Sequence, residues 1–421
     1  MKDQPVHLVV IGLGYVGLPV IAHAVRSGIH CTGLDTSRSI VNGLNSGHSH
    51  VDDISDSDVA ELLSHGFSAT TETSVLQTAD VVLICVPTPL RKDREPDLTA
   101  VTAASQTVRD FLHPGMLVVL ESTTYPGTTD GLVRGILEES GLIAGDDFNL
   151  AFSPERIDPG NATYGLKNTP KVVGGYTAQC TNRAAHFYEL FVDTVVRTRG
   201  TREAELAKLL ENTYRHVNIA LVNEMAIFCH ELGIDLWDSI DAAATKPFGF
   251  SAFYPGPGVG GHCIPIDPNY LSHQVRSLGY PFKFVELAEE ISQRMPNYVV
   301  QRVEKLLGRR GVQLDGAKVL LLGLTYKPDI SDQRETPARE LANLFTSAHA
   351  VVSGFDPNVS EFTVDHGLLR LEIDLRSALK ACDVAVLLQA HSVFDLDEIA
   401  KFAPVVFDTR GRMRHDNVER L

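Results

Sequence analysis

The run His7-Leu8-Val9-Val10-Ile11-Gly12-Leu13-Gly14-Tyr15-Val16-Gly17 constrains this chain more than any other stretch. A short apolar strand runs into G-x-G-x-x-G, and an amphipathic segment from about Val16 to Ser27 continues as a helix. Gly12 permits a tight turn, Gly14 admits a ligand close to the backbone, and Gly17 lets the helix pack on the strand. The helix N-terminus then offers N–H groups and partial positive charge to a pyrophosphate, with Tyr15 and Val16 in its first turn. A second strand, Ile29–Leu34, ends at Asp35, 21 positions past Gly14 (35 − 14). A carboxylate there suits the hydroxyls of an adenosine ribose and would repel a 2′-phosphate, which predicts NAD rather than NADP. Arg38 reads as a surface arginine.

More short apolar runs lie at Val81–Val86, Met116–Leu120, Leu150–Phe152 and Val172-Val173. Strands alternating with helices predict a doubly wound parallel sheet covered on both faces. A long helix is predicted from Thr201 to Leu232, with Leu206, Leu209, Leu210, Val217, Leu221, Ile227 and Phe228 near a 3.6-residue period and Gly233 as its stop. Its length favours a joint between domains and a homodimer contact. A second α/β pattern begins near Gly316, with strands Lys318–Leu324, Val351–Phe355, Asp383–Leu388 and Val405–Asp408 and a helix Thr336–Ala348. The expected fold class is therefore α/β: two doubly wound Rossmann-like domains, 1–200 and 312–421, around a helical middle domain, 201–300.

With 421 residues, 44% of them hydrophobic, the chain can bury a large core. A net charge of −16 without a Lys/Arg run argues against nucleic acid or an anionic membrane as partner. The six cysteines form no CxxC pair, so neither a metal site nor a disulfide framework is expected. The opening MKDQPVHLVVIGLG lacks the apolar region of a signal peptide, and no apolar run is long enough to span a bilayer. A cytoplasmic location is expected.

One cysteine stands apart. Gly256-Pro257-Gly258-Val259-Gly260-Gly261-His262-Cys263-Ile264-Pro265-Ile266-Asp267 puts Cys263 at the end of a glycine-rich loop. It is either buried filler or a nucleophile, and glycines that admit a ligand to the backbone favour the nucleophile. Beside a hydride acceptor, a thiol has a clear use. It adds to an aldehyde to give a thiohemiacetal that can lose a second hydride, and the resulting thioester is then hydrolysed. Lys208 and Asn212, four apart on the long helix, could face an oxyanion, although a solvated pair on an exposed face is the plainer reading of the pattern. Glu155, in Ser153-Pro154-Glu155-Arg156, is a general base or a turn carboxylate. Asp267 holds a water, orients Lys208 or caps the turn at Pro268.

Taken together, GLGYVGLP, VPTP at 86–89, ESTTYPGTT at 121–129, SPERIDPGN at 153–161, ELAKLLENTYR, GPGVGGHCIPIDP and GLTYKPDISDQRETPA at 323–338 resemble the UDP-glucose/GDP-mannose dehydrogenase family. The resemblance implies NAD-dependent four-electron oxidation of a nucleotide-sugar C6 hydroxyl to a carboxylate. It makes Cys263 the nucleophile and Lys208 the acid/base or oxyanion cation. Asn212 and Asp267 would assist through water, and Glu155 and Thr123 would handle water and protons. Pro87, Thr88, Thr123 and Arg334 join the cofactor set. Arg156, Tyr254, Gly258, Gly260, Gly261, Lys327 and Arg410 join the substrate set. The carboxyl-terminal unit lacks its own G-x-G-x-x-G and has Lys327 after its first strand, as a UDP-binding unit would. The KPFGF…FYPGPG…GGHCIP form is most similar to members acting on UDP-N-acetylhexosamines, above all UDP-N-acetylglucosamine. UDP- or TDP-glucose is the alternative and UDP-N-acetylmannosamine a third. Supply of a polysaccharide precursor would follow. Two readings of other kinds, a two-electron hydroxyacid-type dehydrogenase and a non-catalytic nucleotide-sugar sensor, would have no use for Cys263.

Overall fold

The structure is a computed structural model that describes residues 6–91, 95–157, 161, 163–261 and 264–421. These residues form two compact units. Unit one comprises the chain up to Glu211 together with Asn269–Tyr280; unit two comprises Asn212–Pro268 and Pro281–Leu421.

Unit one is built on an eight-stranded sheet. Its strands are β1 (His7–Ile11), β2 (His30–Leu34), β3 (Ser68–Thr70), β4 (Val81–Ile84), β5 (Leu117–Leu120), β6 (Asn149–Phe152), β7 (Lys171–Gly175) and β8 (Val195–Arg197). The order across the sheet is β3-β2-β1-β4-β5-β6-β7-β8. The helices of this part are α1 (Gly17–Arg26), α2 (Arg38–Asn45), α3 (Asp56–Ser64), α4 (Thr99–Arg109), α5 (Arg134–Glu138) and α6 (Ala178–Tyr188). β1, β4 and β5 are apolar at nearly every position and buried, as strands covered on both faces must be. Two apolar clusters form the core, one on each face of the sheet; Leu8 and Val10 point into one, Val9 and Ile11 into the other. All neighbours pair parallel except β6 and β7, where Ala151 faces Gly175 and Phe152 faces Gly174 in antiparallel register. That reversal departs from the uniformly parallel sheet the sequence suggests.

α7 (Thr201–Glu231) is one unbroken helix of 31 residues. Its period is as expected, but most of its leucines face outward rather than into the core. Ala204, Leu209, Ala220, Val222 and Ala226 are buried, whereas Leu206, Leu210, Tyr214, Leu221 and Phe228 are exposed along one stripe.

Unit two also contains α8 (Leu236–Ala244) and α10 (Lys283–Gly308), and α9 (Asp267–Ser277) precedes the latter in the chain. Its six-stranded sheet has β9 (Lys318–Leu322), β10 (Val351–Phe355), β13 (Arg370–Leu371), β14 (Val384–Leu387), β15 (Val406–Asp408) and β16 (Val418–Arg420), in the order β13-β10-β9-β14-β15-β16, all parallel. β11 (Thr363–Val364) and β12 (Gly367–Leu368) form a separate hairpin. α11 (Pro337–Ser347), α12 (Leu375–Ala381) and α13 (Leu396–Phe402) complete the unit. No helix among the described residues is long and apolar enough to cross a membrane.

Candidate active site

The turn between β1 and α1 is shaped for a dinucleotide. Gly12 has φ +94°, and a Cβ there would lie 2.5 Å from the Cys85 carbonyl oxygen, so only glycine fits. Gly14 faces open space, which leaves the helix N-terminus accessible to a phosphate. Gly17 packs directly on the Gly12 carbonyl. Tyr15 and Val16 are half-buried against the core of unit one. Asp35, at the end of β2, accepts the Leu13 N–H at 2.9 Å and the Ser37 N–H at 2.8 Å. Its carboxylate is thus fixed beside the turn, where a ribose diol would meet it. These residues fit NAD.

The ends of β4 and β5 carry the next groups. Pro87 is exposed and Thr88 buried, with the Thr88 carbonyl accepting the Tyr270 hydroxyl at 2.7 Å. Ser122 Oγ donates to the Val86 carbonyl at 2.7 Å, which ties the two loops together beside half-buried Thr123. Farther along, Glu205 on α7 accepts N–H groups from Gly127 (2.7 Å) and Thr129 (2.9 Å) and the Thr129 hydroxyl (2.7 Å). Burial pushes its carboxyl up to about 7 against those bonds.

Lys208 and Asn212 are not on a solvated face. They are 8% and 4% exposed. In unit one, Lys208 Nζ donates to the Glu155 carbonyl oxygen at 2.5 Å. In unit two, Asn212 Nδ2 donates to Asp267 Oδ2 at 2.5 Å. Asp267, at the start of α9, is therefore more than a turn cap. Glu155 is buried just beyond β6, while Arg156 turns to Glu211 (2.7 Å) and to the Pro170 carbonyl (2.6 Å). Cys263 and its neighbour His262 lie outside the described residues. The other five cysteines are buried and unlinked.

In unit two the glycine loop rests on the segment leading to α11. A Cβ on Gly260 would lie 2.6 Å from the Glu335 carbonyl oxygen, and one on Gly261 would lie 2.7 Å from the Tyr326 ring. Gly258 lies against Pro337, and the Gly261 N–H donates to the Arg334 carbonyl. Buried Asn223 accepts the Gly256 N–H at 2.9 Å and so fixes the loop's start. Arg410 stands against Gly256, bonded to the Leu388 carbonyl; burial lowers its pKa to about 10, with Asp408 opposing. Tyr254 stacks on Trp237 (5.5 Å, 12°) and donates its hydroxyl to Asp241 at 2.8 Å. Lys327 is half-buried in a turn that Gln389 holds through the Tyr326 carbonyl. Arg334 pairs with Asp332 at 2.6 Å. Among the described residues no His, Cys, Asp and Glu side chains gather as a metal site.

Sequence reasoning missed Glu121, Lys171, Tyr188, Glu205, Asn223 and Tyr270. Glu205 carries a visible signal, one turn before Lys208 on the same helix. Lys171 carries none, since a lysine opening a strand reads as a surface residue.

Three family models cover the chain in order. The NAD binding domain of the UDP-glucose/GDP-mannose dehydrogenase family matches residues 6–192, its central domain 202–294 and its UDP binding domain 320–415. A UDP-N-acetyl-D-glucosamine 6-dehydrogenase from Pseudomonas aeruginosa is 35% identical over 99% of both chains. A UDP-N-acetyl-D-mannosamine dehydrogenase from Yersinia pestis is also 35% identical, over 91% of this chain and 93% of its own. The solved UDP-D-ManNAc dehydrogenase from Pyrococcus horikoshii superposes with TM-score 0.89 at 31% identity, over 98% of both chains. The glycine turn, Asp35 and the paired α/β sheets thus define an NAD-dependent dehydrogenase of nucleotide sugars. The chain belongs to the UDP-glucose/GDP-mannose dehydrogenase family.

Proposed function

We propose that this enzyme oxidises C6 of a UDP-N-acetylhexosamine to the uronic acid, with UDP-N-acetylglucosamine as the preferred substrate. The buried bond from Asn212 to Asp267 is the observation that carries the chemistry, because it fixes a carboxylate only four residues past Cys263 (267 − 263), where a reacting water must be held. When bound, NAD accepts the hydrides, two per sugar. The Cys263 thiolate adds to the C6 aldehyde, and loss of the second hydride leaves a thioester on sulfur. The Lys208 ammonium faces the developing oxyanion. Asn212 and Asp267 hold the hydrolytic water, and Glu155 and Thr123 take up and pass its proton. Tyr254, Gly258, Gly260, Gly261, Lys327 and Arg410 bind the nucleotide sugar along with Arg156; Pro87, Thr88 and Arg334 assist the cofactor. The ranking of the sugar rests on the KPFGF…FYPGPG segment and on the Pseudomonas aeruginosa relative. Equally similar UDP-N-acetyl-D-mannosamine dehydrogenases support that sugar as the second reading.

NADH formation with UDP-N-acetylglucosamine, UDP-N-acetylmannosamine, UDP-glucose and GDP-mannose tests the ranking; a higher kcat/KM for UDP-glucose would overturn it. Cys263→Ser should stop uronic acid formation and accumulate an aldehyde-level species. Two NADH per sugar at wild-type rate from that variant would exclude the thioester route. The apolar stripe on α7 supports a homodimer, and a second copy of this chain would cover it. Leu210→Asp with Leu221→Asp should halve the mass in sedimentation; an unchanged mass removes α7 as the contact. A cytoplasmic enzyme supplying a polysaccharide precursor fits this chemistry.

A further inference from the structure

The antiparallel step between β6 and β7 has a chemical result. Glu121 comes directly after β5 and Glu155 shortly after β6, both at the carboxyl edge of the sheet. In a uniformly parallel sheet the first residue of β7 would lie at the opposite edge. Reversal returns Lys171 to the edge where Glu155 stands. Lys171 is 3% exposed, and its Nζ lies 3.0 Å from Glu121 Oε2 and 4.0 Å from Glu155 Oε2. Tyr188, at the end of α6, donates its hydroxyl to the other oxygen of Glu121, and its ring lies 5.2 Å from Lys171 Nζ.

The surroundings of Glu155 single out this lysine. Glu155 Oε1 accepts the Ile157 N–H, and buried Oε2 accepts no hydrogen bond among the described residues. Among the described residues, Lys208 donates to the Glu155 backbone carbonyl and not to its carboxylate. Arg156 is turned to Glu211. Burial pushes the Cys85 thiol, at the end of β4, well up, so it stays neutral. Burial also raises the Tyr188 phenol, which stays a donor. Burial opposes the charge on Lys171, but Glu121 and Glu155 outweigh it and hold its pKa above the ordinary value. Lys171 is thus the cation that faces the Glu155 carboxylate.

We propose that Lys171, braced by Glu121 and Tyr188, is a positioning residue that keeps Glu155 ionised and its Oε2 ready to take a proton. The proposal rests on the reading of Glu155 as the base of thioester hydrolysis. In that step the water oxygen bonds to the thioester carbon and the water proton passes to Oε2. The C–S bond then breaks and its electron pair leaves with the Cys263 thiolate. Lys171 stays protonated throughout. Without that cation, a buried carboxylate neutralises and no longer accepts the proton.

The test is the pH profile of uronic acid release, with the sugar of the panel that turns over fastest. Lys171→Met should move the acid limb of kcat upward by about one to three pH units, and Lys171→Arg should restore it. In a Glu155→Gln background, Lys171→Met should cost nothing further. An unmoved limb in Lys171→Met, or an additive loss in the double variant, overturns the proposal. If Lys171→Met does not fold, Lys171→Met with Glu121→Met is compared with Glu121→Met alone, because Glu121 is itself a like charge coupled to Glu155, and the limb difference between those two variants is read in the same way. Wild-type turnover in Glu155→Gln would instead remove Glu155 as the base, a failure of the underlying reading that the other variants do not produce.

Discussion

In unit one the Leu13 N–H donates to Asp35 at 2.9 Å; in unit two the Leu324 N–H donates to Asp356 at 2.6 Å. Each acid ends the second strand of its unit, and each takes a further N–H two residues on, Ser37 in one case and Asn358 in the other, both at 2.8 Å. Gly12 and Gly323 both have positive φ, +94° and +79°, and a Cβ on either would strike a carbonyl oxygen of the neighbouring strand's end. The scaffolds then diverge. α1 starts at Gly17, five residues past Gly12, whereas α11 starts at Pro337, 14 past Gly323 (337 − 323). Asp35 is half-buried beside its turn. Asp356 is buried and takes a third bond, from His391 Nε2 at 3.0 Å, while Nδ1 of that ring accepts the Asp329 N–H. The imidazole thus gives Asp356 a protein partner that Asp35 does not have among the described residues. One strand–turn–acid frame therefore serves two ligand classes, and the chain beyond the turn decides between them.

The largest effects should show what the two turns share. Gly12→Ala and Gly323→Ala should each cost about 3 kcal/mol, from strained φ and the carbonyl contact, read by denaturant unfolding. A cheap substitution at either would break the equivalence. The acids should then separate. Asp35→Asn should weaken NAD binding about tenfold with little loss of stability, by titration and calorimetry. Asp356→Ala should leave NAD affinity alone and cost about 2 kcal/mol of stability, by stranding His391. The reverse pattern would mean that the second acid still serves a dinucleotide.

A smaller difference concerns pH. The folded pKa of Asp356 is depressed: burial raises it, but His391 and two N–H groups prevail. Its contribution is present above the ordinary carboxylate range and is lost only as pH falls through the folded value. Glu205 has the opposite sign. Raised to about 7, it favours the protonated fold, so unit one loses stability as pH rises from the ordinary glutamate range to about 7 and changes no further above it. Amide exchange at Gly127 and Thr129 should therefore be faster at pH 8 than at pH 5 after correction for intrinsic rates, and Glu205→Gln should flatten the difference. Equal corrected protection would discard the effect.

Much of this frame is written in apolar runs. β1, β4, β5, β9, β10, β14 and β15 each carry one, and the Gly12 turn with Asp35 is explicit. The short edge strands β3, β8, β13 and β16 bury too little to leave a run. Strand direction leaves no trace in composition, so the reversal of β7 and the position of Lys171 were illegible. The helical period of α7 was readable, but its phase was not, because Leu210 and Leu221 are apolar without being buried in this chain. Lys208 and Asn212 looked solvated for the converse reason: their partners, a backbone carbonyl and a distant aspartate, have no local signature.

The reversed strand also makes the cation beside Glu155 a digital quantity. Side chains alternate along a strand, so a slip of one residue in the β6–β7 register would exchange Lys171 for the apolar Val172. No intermediate setting exists between a charged and an uncharged neighbour. Changes in the connection from β6 to β7 are therefore silent as long as register holds, and switch the charge off when it does not.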